Sequence, residues 1–161
     1  MILYIILVSG KQISDFHGLW GITTIPTYIA IPLTIFASVG IINAINLIDG
    51  VDGYSSGYTI VSSIIFGIIF YTMGNIRMAA LAAIVAASLI PFFFHNVFGK
   101  HSKMFIGDAG TLSLGIIFSI FVINILSPYT LSENFAPNLG LIPFTLAVMC
   151  VPIFDTIRVM S

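Results

Sequence analysis

The sequence predicts an all-α fold: a polytopic bundle of membrane helices, one domain over residues 1–161, with active-site loops gathered on a single face. Three observations predict it. Only 7% of the residues are charged while 58% are hydrophobic and 13% aromatic, too few polar groups to cover a hydrated surface. The apolar residues fall in runs close to the ~20 residues that cross a bilayer as a helix. The polar residues are concentrated in a few connections rich in Gly, Asn, Asp, Lys and His.

In chain order, Met1 to Val8 is apolar but lacks the basic segment and cleavage site of a secretory signal, and it is too short to span. It reads as the tail of a helix begun upstream. Five full spans follow, approximately Tyr28 to Ala44, Gly57 to Met73, Met78 to Phe94, Thr111 to Ser127 and Leu139 to Phe154. Gly74 to Arg77 is a tight turn, whereas Ser9 to Thr27, Asn43 to Tyr54 and His95 to Gly110 are polar connections with room for chemistry. The last span acquires Asp155 and Arg158 just before Ser161, as at the start of a further loop, so both ends read as those of a piece of a longer protein.

Each crossing flips the side on which the next connection lies. Asn43 to Tyr54, His95 to Gly110 and Asp155 to Ser161 then share one face, carrying Lys100, Lys103 and Arg158 against Lys11 and Arg77 opposite. Three basic residues against two agree with the positive-inside rule for a cytoplasmic face, a margin too small to set the orientation by itself. Of the six acids, Asp49, Asp52, Asp108 and Asp155 lie on it, leaving Asp15 and Glu133 outside. Scarce carboxylates gathered at one membrane face build a site. Nucleic acid is excluded as a partner, because a net charge of -1 with five basic residues offers no counterion-releasing patch. Cys150, alone within the run Leu146 to Val151, is a packing residue that no internal disulfide can use.

Three constellations carry chemistry. In Asn43-Ala-Ile-Asn46-Leu-Ile-Asp49-Gly50-Val-Asp52-Gly53, Asn43, Asn46 and Asp49 are three apart and share one side of a helical turn, where hard oxygen ligands suit Mg²⁺. The plainer reading is a capped helix end before a glycine turn. In Lys103-Met-Phe105-Ile-Gly107-Asp108-Ala-Gly110-Thr111, a carboxylate stands at the mouth of a membrane helix, whose free N–H groups and dipole favour phosphate. Asp108 would repel that anion unless a cation stood between them, so the coherent ligand is metal-bridged phosphate; the plainer reading is that Asp108 caps the helix. Lys103 either meets a diphosphate or snorkels to lipid headgroups. In Pro152-Ile-Phe-Asp155-Thr156-Ile-Arg158, Asp155 and Arg158 emerge on the same face as a third site or an interfacial ion pair. His95 and His101 read as structural, the aromatic residues as an interfacial belt, and the small residues from Ala79 to Ser88 as a close helix contact.

With these residues assembled, the chain resembles the polyprenyl-phosphate N-acetylhexosamine-1-phosphate transferase family, which includes the initiators of O-antigen and teichoic acid synthesis and phospho-MurNAc-pentapeptide transferase. The Asn43 to Gly53 segment is similar to the family's Asn/Asp-Gly loop, Phe105 to Thr111 to its Gly-Asp loop, and Pro152 to Thr156 to its third cytoplasmic motif. The resemblance implies a multi-pass enzyme of the bacterial inner membrane with a cytoplasmic cleft, a UDP-sugar as donor, undecaprenyl phosphate as acceptor and Mg²⁺ as cofactor, with room for Mn²⁺ and for a homodimer. It implies Mg²⁺ held by Asp108 and Asn46, Asp52 and Phe105 near the uracil, Asn43, Lys103 and Asp155 in substrate binding, and Asp49 beside Asp108 in the catalytic set. The family's acidic pair upstream of Ile2 and its His-containing loop beyond Arg158 are absent, so the chain by itself is expected to be inactive. Ile48 and the Asp155-Thr156 ending lean toward the N-acetylglucosamine-1-phosphate branch. The rivals are the muramyl-pentapeptide branch and a membrane transporter, the latter predicting carboxylates near mid-span.

Overall fold

A computed structural model of the chain describes residues 2–14, 25–50, 53–99 and 106–127, together with 145, 147–152, 154 and 158. Its elements are α1 (Ile2–Ser9), α2 (Thr27–Leu47), a 3₁₀ turn (Ile48–Gly50), α3 (Tyr54–Thr72), α4 (Ile76–Phe98) and α5 (Gly107–Ile125), with no strand among the described residues. Residues 147–152 are helical as well. Helices α2 to α5 have 21, 19, 23 and 19 residues. At 1.5 Å per residue they reach roughly 28 to 35 Å, the thickness of a bilayer's hydrocarbon core. Phe36, Ile68, Tyr71, Ile84 and Phe94 point outward, which suits helices whose outer solvent is lipid.

Four of the five predicted spans are these helices, with shifted ends. Helix α2 continues past Ala44 to Leu47, α4 past Phe94 to Phe98, and α5 starts at Gly107, ahead of Thr111. Apolar runs mark where side chains meet lipid, whereas a helix continues into the interface as long as its own hydrogen bonds satisfy the backbone. Asn46 and Asp108 therefore sit on helical turns, not in loops. Half of the fifth predicted span, Leu139 to Phe154, lies outside the described residues, and its described residues are helical.

The α3–α4 hairpin closes with a Schellman motif. Gly74, at φ 74°, takes the left-handed conformation; the Asn75 N–H reaches Phe70 O at 2.8 Å and the Gly74 N–H reaches Tyr71 O at 3.0 Å. Asn75 then caps α4, its side chain accepting from the Met78 N–H. Buried Ala82 and Ala86 let α4 lie close against α3, as the small-residue run predicts.

Helix α5 packs against α2 instead of against its neighbour in sequence. A Cβ added at Gly115 would stand 2.7 Å from the Ile42 Cα, so the two backbones are in contact there. Nearby, the Ser119 hydroxyl lies 2.8 Å from Gly115 O and 3.3 Å from Ser38 O. Contact positions fall along α2 as they rise along α5, so the pair is antiparallel. Phe66 and Phe70 of α3 meet Phe118 and Phe121 of α5, with ring centroids 5.4 to 5.8 Å apart across the interface. All four are essentially inaccessible. These numbers rise together, so α3 and α5 run parallel. Lys11 Nζ donates to Asn124 Oδ1 at 2.6 Å, tying the chain after α1 to the far end of α5. Tyr58 OH donates to Val148 O at 2.8 Å, holding the 147–152 segment on α3.

Replacing Gly115 by Ala should force α2 and α5 apart and destabilise the protein by about 1 to 3 kcal/mol, the usual cost of overpacking a tight contact. Thermal unfolding in detergent measures this. A melting temperature equal to the wild type's would mean that the backbone contact does not constrain the pair.

Candidate active site

The helix directions place the end of α2, the start of α3, the end of α4 and the start of α5 at one face. The first two predicted constellations meet there. Asn46, in the last turn of α2, donates from Nδ2 to Thr111 Oγ1 at 2.7 Å and approaches Asp108 Oδ1 at 3.5 Å. Residues 62 and 65 positions apart thus become neighbours through the α2–α5 register. Thr111 is fully buried, and its hydroxyl lies 3.2 Å from both Gly107 O and Asp108 O.

Asp49 does something else. From the 3₁₀ turn after α2, its Oδ2 accepts the Gly107 N–H at 3.0 Å and its Oδ1 lies 3.4 Å from the Ile106 nitrogen as acceptor. Helix α5 has no side-chain cap of its own. The first N–H groups of any helix lack intrahelical partners, and here a carboxylate 58 residues earlier supplies the acceptor, where the helix dipole also favours negative charge. Gly107 holds φ 77° at this junction, a left-handed conformation costly for any residue with a Cβ. Gly110 leaves room for the Ile106 side chain, which a Cβ there would meet at 2.5 Å.

This changes the reading of both motifs. Asp108 is not the cap of α5; it is exposed, with its carboxylate beside Asn46. The cap is Asp49, which therefore serves the backbone and fills part of the N–H array that was expected to stay open to phosphate. Asn43 lies one turn back on α2, exposed and without a hydrogen bond to this group. Asp52, Lys103, Phe105 and Asp155 lie outside the described residues. Thr111 stood in the second motif without an assigned role; its place one turn after Gly107 and Asp108 was the available signal.

The oxygens of Asp108 and Asn46 are the candidates for holding a divalent cation. No cluster of three or more His, Cys, Asp or Glu side chains occurs among the described residues, so they form no cage for a fully protein-ligated ion. One carboxylate and one amide oxygen fit Mg²⁺, which keeps waters and completes its octahedron with substrate phosphates. Within the described helices, no Asp, Glu, Lys or Arg stands near mid-span: Arg77 and Asp108 occupy first turns. Mid-span carboxylates of the kind a transporter would use are not found there.

Residues 1–126 match the family described as glycosyl transferase family 4. The chain is 36% identical over 129 residues to a probable undecaprenyl-phosphate N-acetylglucosaminyl 1-phosphate transferase of Bacillus subtilis, covering 80% of this chain and 34% of that protein. It is 31% identical over 131 residues to a phospho-N-acetylmuramoyl-pentapeptide-transferase of Streptococcus equi subsp. zooepidemicus, covering 81% of this chain and 38% of that protein. To the Clostridium perfringens protein of that name it is 38% identical over 85 residues, 53% of this chain and 26% of the relative. The chain thus spans about a third of the length of the first two of these relatives. No solved structure matches it.

Asp49→Ala should remove the cap of α5 at a cost of about 0.5 to 2 kcal/mol, the range for losing a helix cap. Hydrogen exchange of the Ile106 and Gly107 amides should accelerate. Exchange unchanged from the wild type at both would show that Asp49 does not hold this junction.

Proposed function

We propose a function from the premise that the chain belongs to glycosyl transferase family 4. The reaction is transfer of a sugar 1-phosphate from a UDP-sugar to undecaprenyl phosphate. An oxygen of the lipid phosphate forms a bond to the β-phosphorus, the bond from that phosphorus to the bridging oxygen breaks, and UMP departs with the electron pair. The sugar is N-acetylglucosamine, and the site faces the cytoplasm of a bacterial inner membrane, where the product initiates a cell-envelope polysaccharide.

One observation carries this reading: Asn46 and Asp108, from helices distant in sequence, stand side by side at the membrane interface. Their amide and carboxylate oxygens would hold Mg²⁺. When bound, the ion supplies positive charge against the diphosphate oxygens, where negative charge accumulates in phosphoryl transfer. Asp108, exposed at the first turn of α5, keeps its carboxylate free for the ion because Asp49 performs the capping. Asp49 acts on the backbone: it holds Ile106 and Gly107, and through them the position of Asp108. Asp52 and Phe105 would meet the uracil, Asn43, Lys103 and Asp155 would line the substrate path, and most of the rate acceleration comes from placement and charge.

The test uses the full-length polypeptide purified in detergent, assayed for UMP release from UDP-N-acetylglucosamine with undecaprenyl phosphate. Release should require both lipid and Mg²⁺, and Asp108→Asn should lower it by at least about 100-fold, as for loss of a principal charge-stabilising group. Turnover with UDP-MurNAc-pentapeptide alone would move the chain to the muramyl branch, and silence with every UDP-sugar would end the transferase reading.

A further inference from the structure

Thr111 has no assigned part in the reaction, yet it makes the shortest polar contact of the site. Its hydroxyl has one hydrogen to give and two lone pairs to offer. Gly107 O and Asp108 O, both 3.2 Å away, are acceptors and take the hydrogen, as helical threonines commonly bond back to the preceding turn. Toward Asn46 the hydroxyl can then only accept, and it does so at 2.7 Å. Asp108 Oδ1, 3.5 Å from the same Asn46 nitrogen, is also acceptor-only when ionised. A reversed amide would set its oxygen against the Asp108 carboxylate and would have to draw the hydroxyl hydrogen away from Gly107 O and Asp108 O, so the network favours the orientation with the nitrogen on Thr111. Thr111 is fully buried, and water cannot substitute for its hydroxyl.

We infer that Thr111 is a positioning residue for metal binding: its buried hydroxyl captures the amide nitrogen of Asn46 and leaves the amide oxygen as the end free to meet the cation. This rests on the metal role given to Asn46 and Asp108 above. The 3.5 Å approach to Asp108 is at the limit of hydrogen bonding and is the contact that a shared cation displaces; the 2.7 Å bond to Thr111 remains and keeps the amide from rotating. Outer partners of this kind orient metal ligands and tune affinity.

The experiment titrates Mn²⁺ alone into the full-length protein in detergent, following the free ion by electron paramagnetic resonance, with UMP release measured in parallel. Thr111→Val keeps the shape and removes the acceptor; it should weaken Mn²⁺ binding about 10- to 100-fold, the usual effect of losing an outer-shell partner. Thr111→Ser should restore wild-type affinity. In an Asn46→Asp background the valine should cause no further loss, because a carboxylate has two equivalent ends and needs no orienting. Wild-type affinity in Thr111→Val, an equal loss in both backgrounds, or no Mn²⁺ binding by the wild type would each overturn the inference. UMP release alongside a merely additive cycle removes the role of Thr111 and leaves the transferase reading intact. A coupled cycle without UMP release from any UDP-sugar does the reverse.

Discussion

The close antiparallel approach of α2 and α5 is the constraint on which the rest of the structure depends. Where Gly115 meets Ile42 there is no room for a side chain, so the two backbones set their own separation and register. That register carries Ser119 to Ser38 in the membrane interior and, two turns nearer the interface, Thr111 and Asp108 to Asn46. The Phe66, Phe70, Phe118 and Phe121 cluster then locks α3 alongside α5 with edge-to-face ring contacts. A register slip by one residue would turn Asn46 about 100° away from Asp108, because successive helical positions rotate by that angle.

Lipid imposes a second condition: every backbone polar group needs a partner within the protein or at the interface. The buried hydroxyls of Thr34 and Thr59 follow it. Thr34 donates to Ala30 O and accepts from the Ile13 N–H, and Thr59 donates to Ser55 O. At the start of α5 the same requirement falls on Asp49. A carboxylate that looks like a metal ligand in the sequence is committed to two backbone N–H groups, and the exposed carboxylate is Asp108. The two acids thus stand differently, Asp49 engaged by the backbone and Asp108 exposed, and the placement of the second depends on the first.

How much of this was legible in the sequence varied with the kind of signal. Length and hydropathy located α2, α3, α4 and α5, because lipid demands long apolar runs and the chain has few other residues to confuse them. The turn at Gly74 and the tight packing of the alanines in α4 were readable from residue type. Helix ends were not, since the last turns of α2 and α4 and the first of α5 carry polar side chains into the interface while staying helical. Asp108 as a cap was a reasonable reading of one motif in isolation; what it lacked was the acceptor arriving from the other motif.

The sequence by itself determined that this chain is a bundle of membrane helices, and it marked two Asn/Asp/Gly motifs that the alternation of spans puts on one face. Those are properties of composition, spacing and the alternation of spans, and they need no contact between distant residues. Only the tertiary structure decided which acid caps and which stays exposed, and that Thr111 belongs to the site at all. Each of these depends on helix register and on which hydrogens are already engaged, and both are set by packing between helices that the linear order of residues does not encode locally.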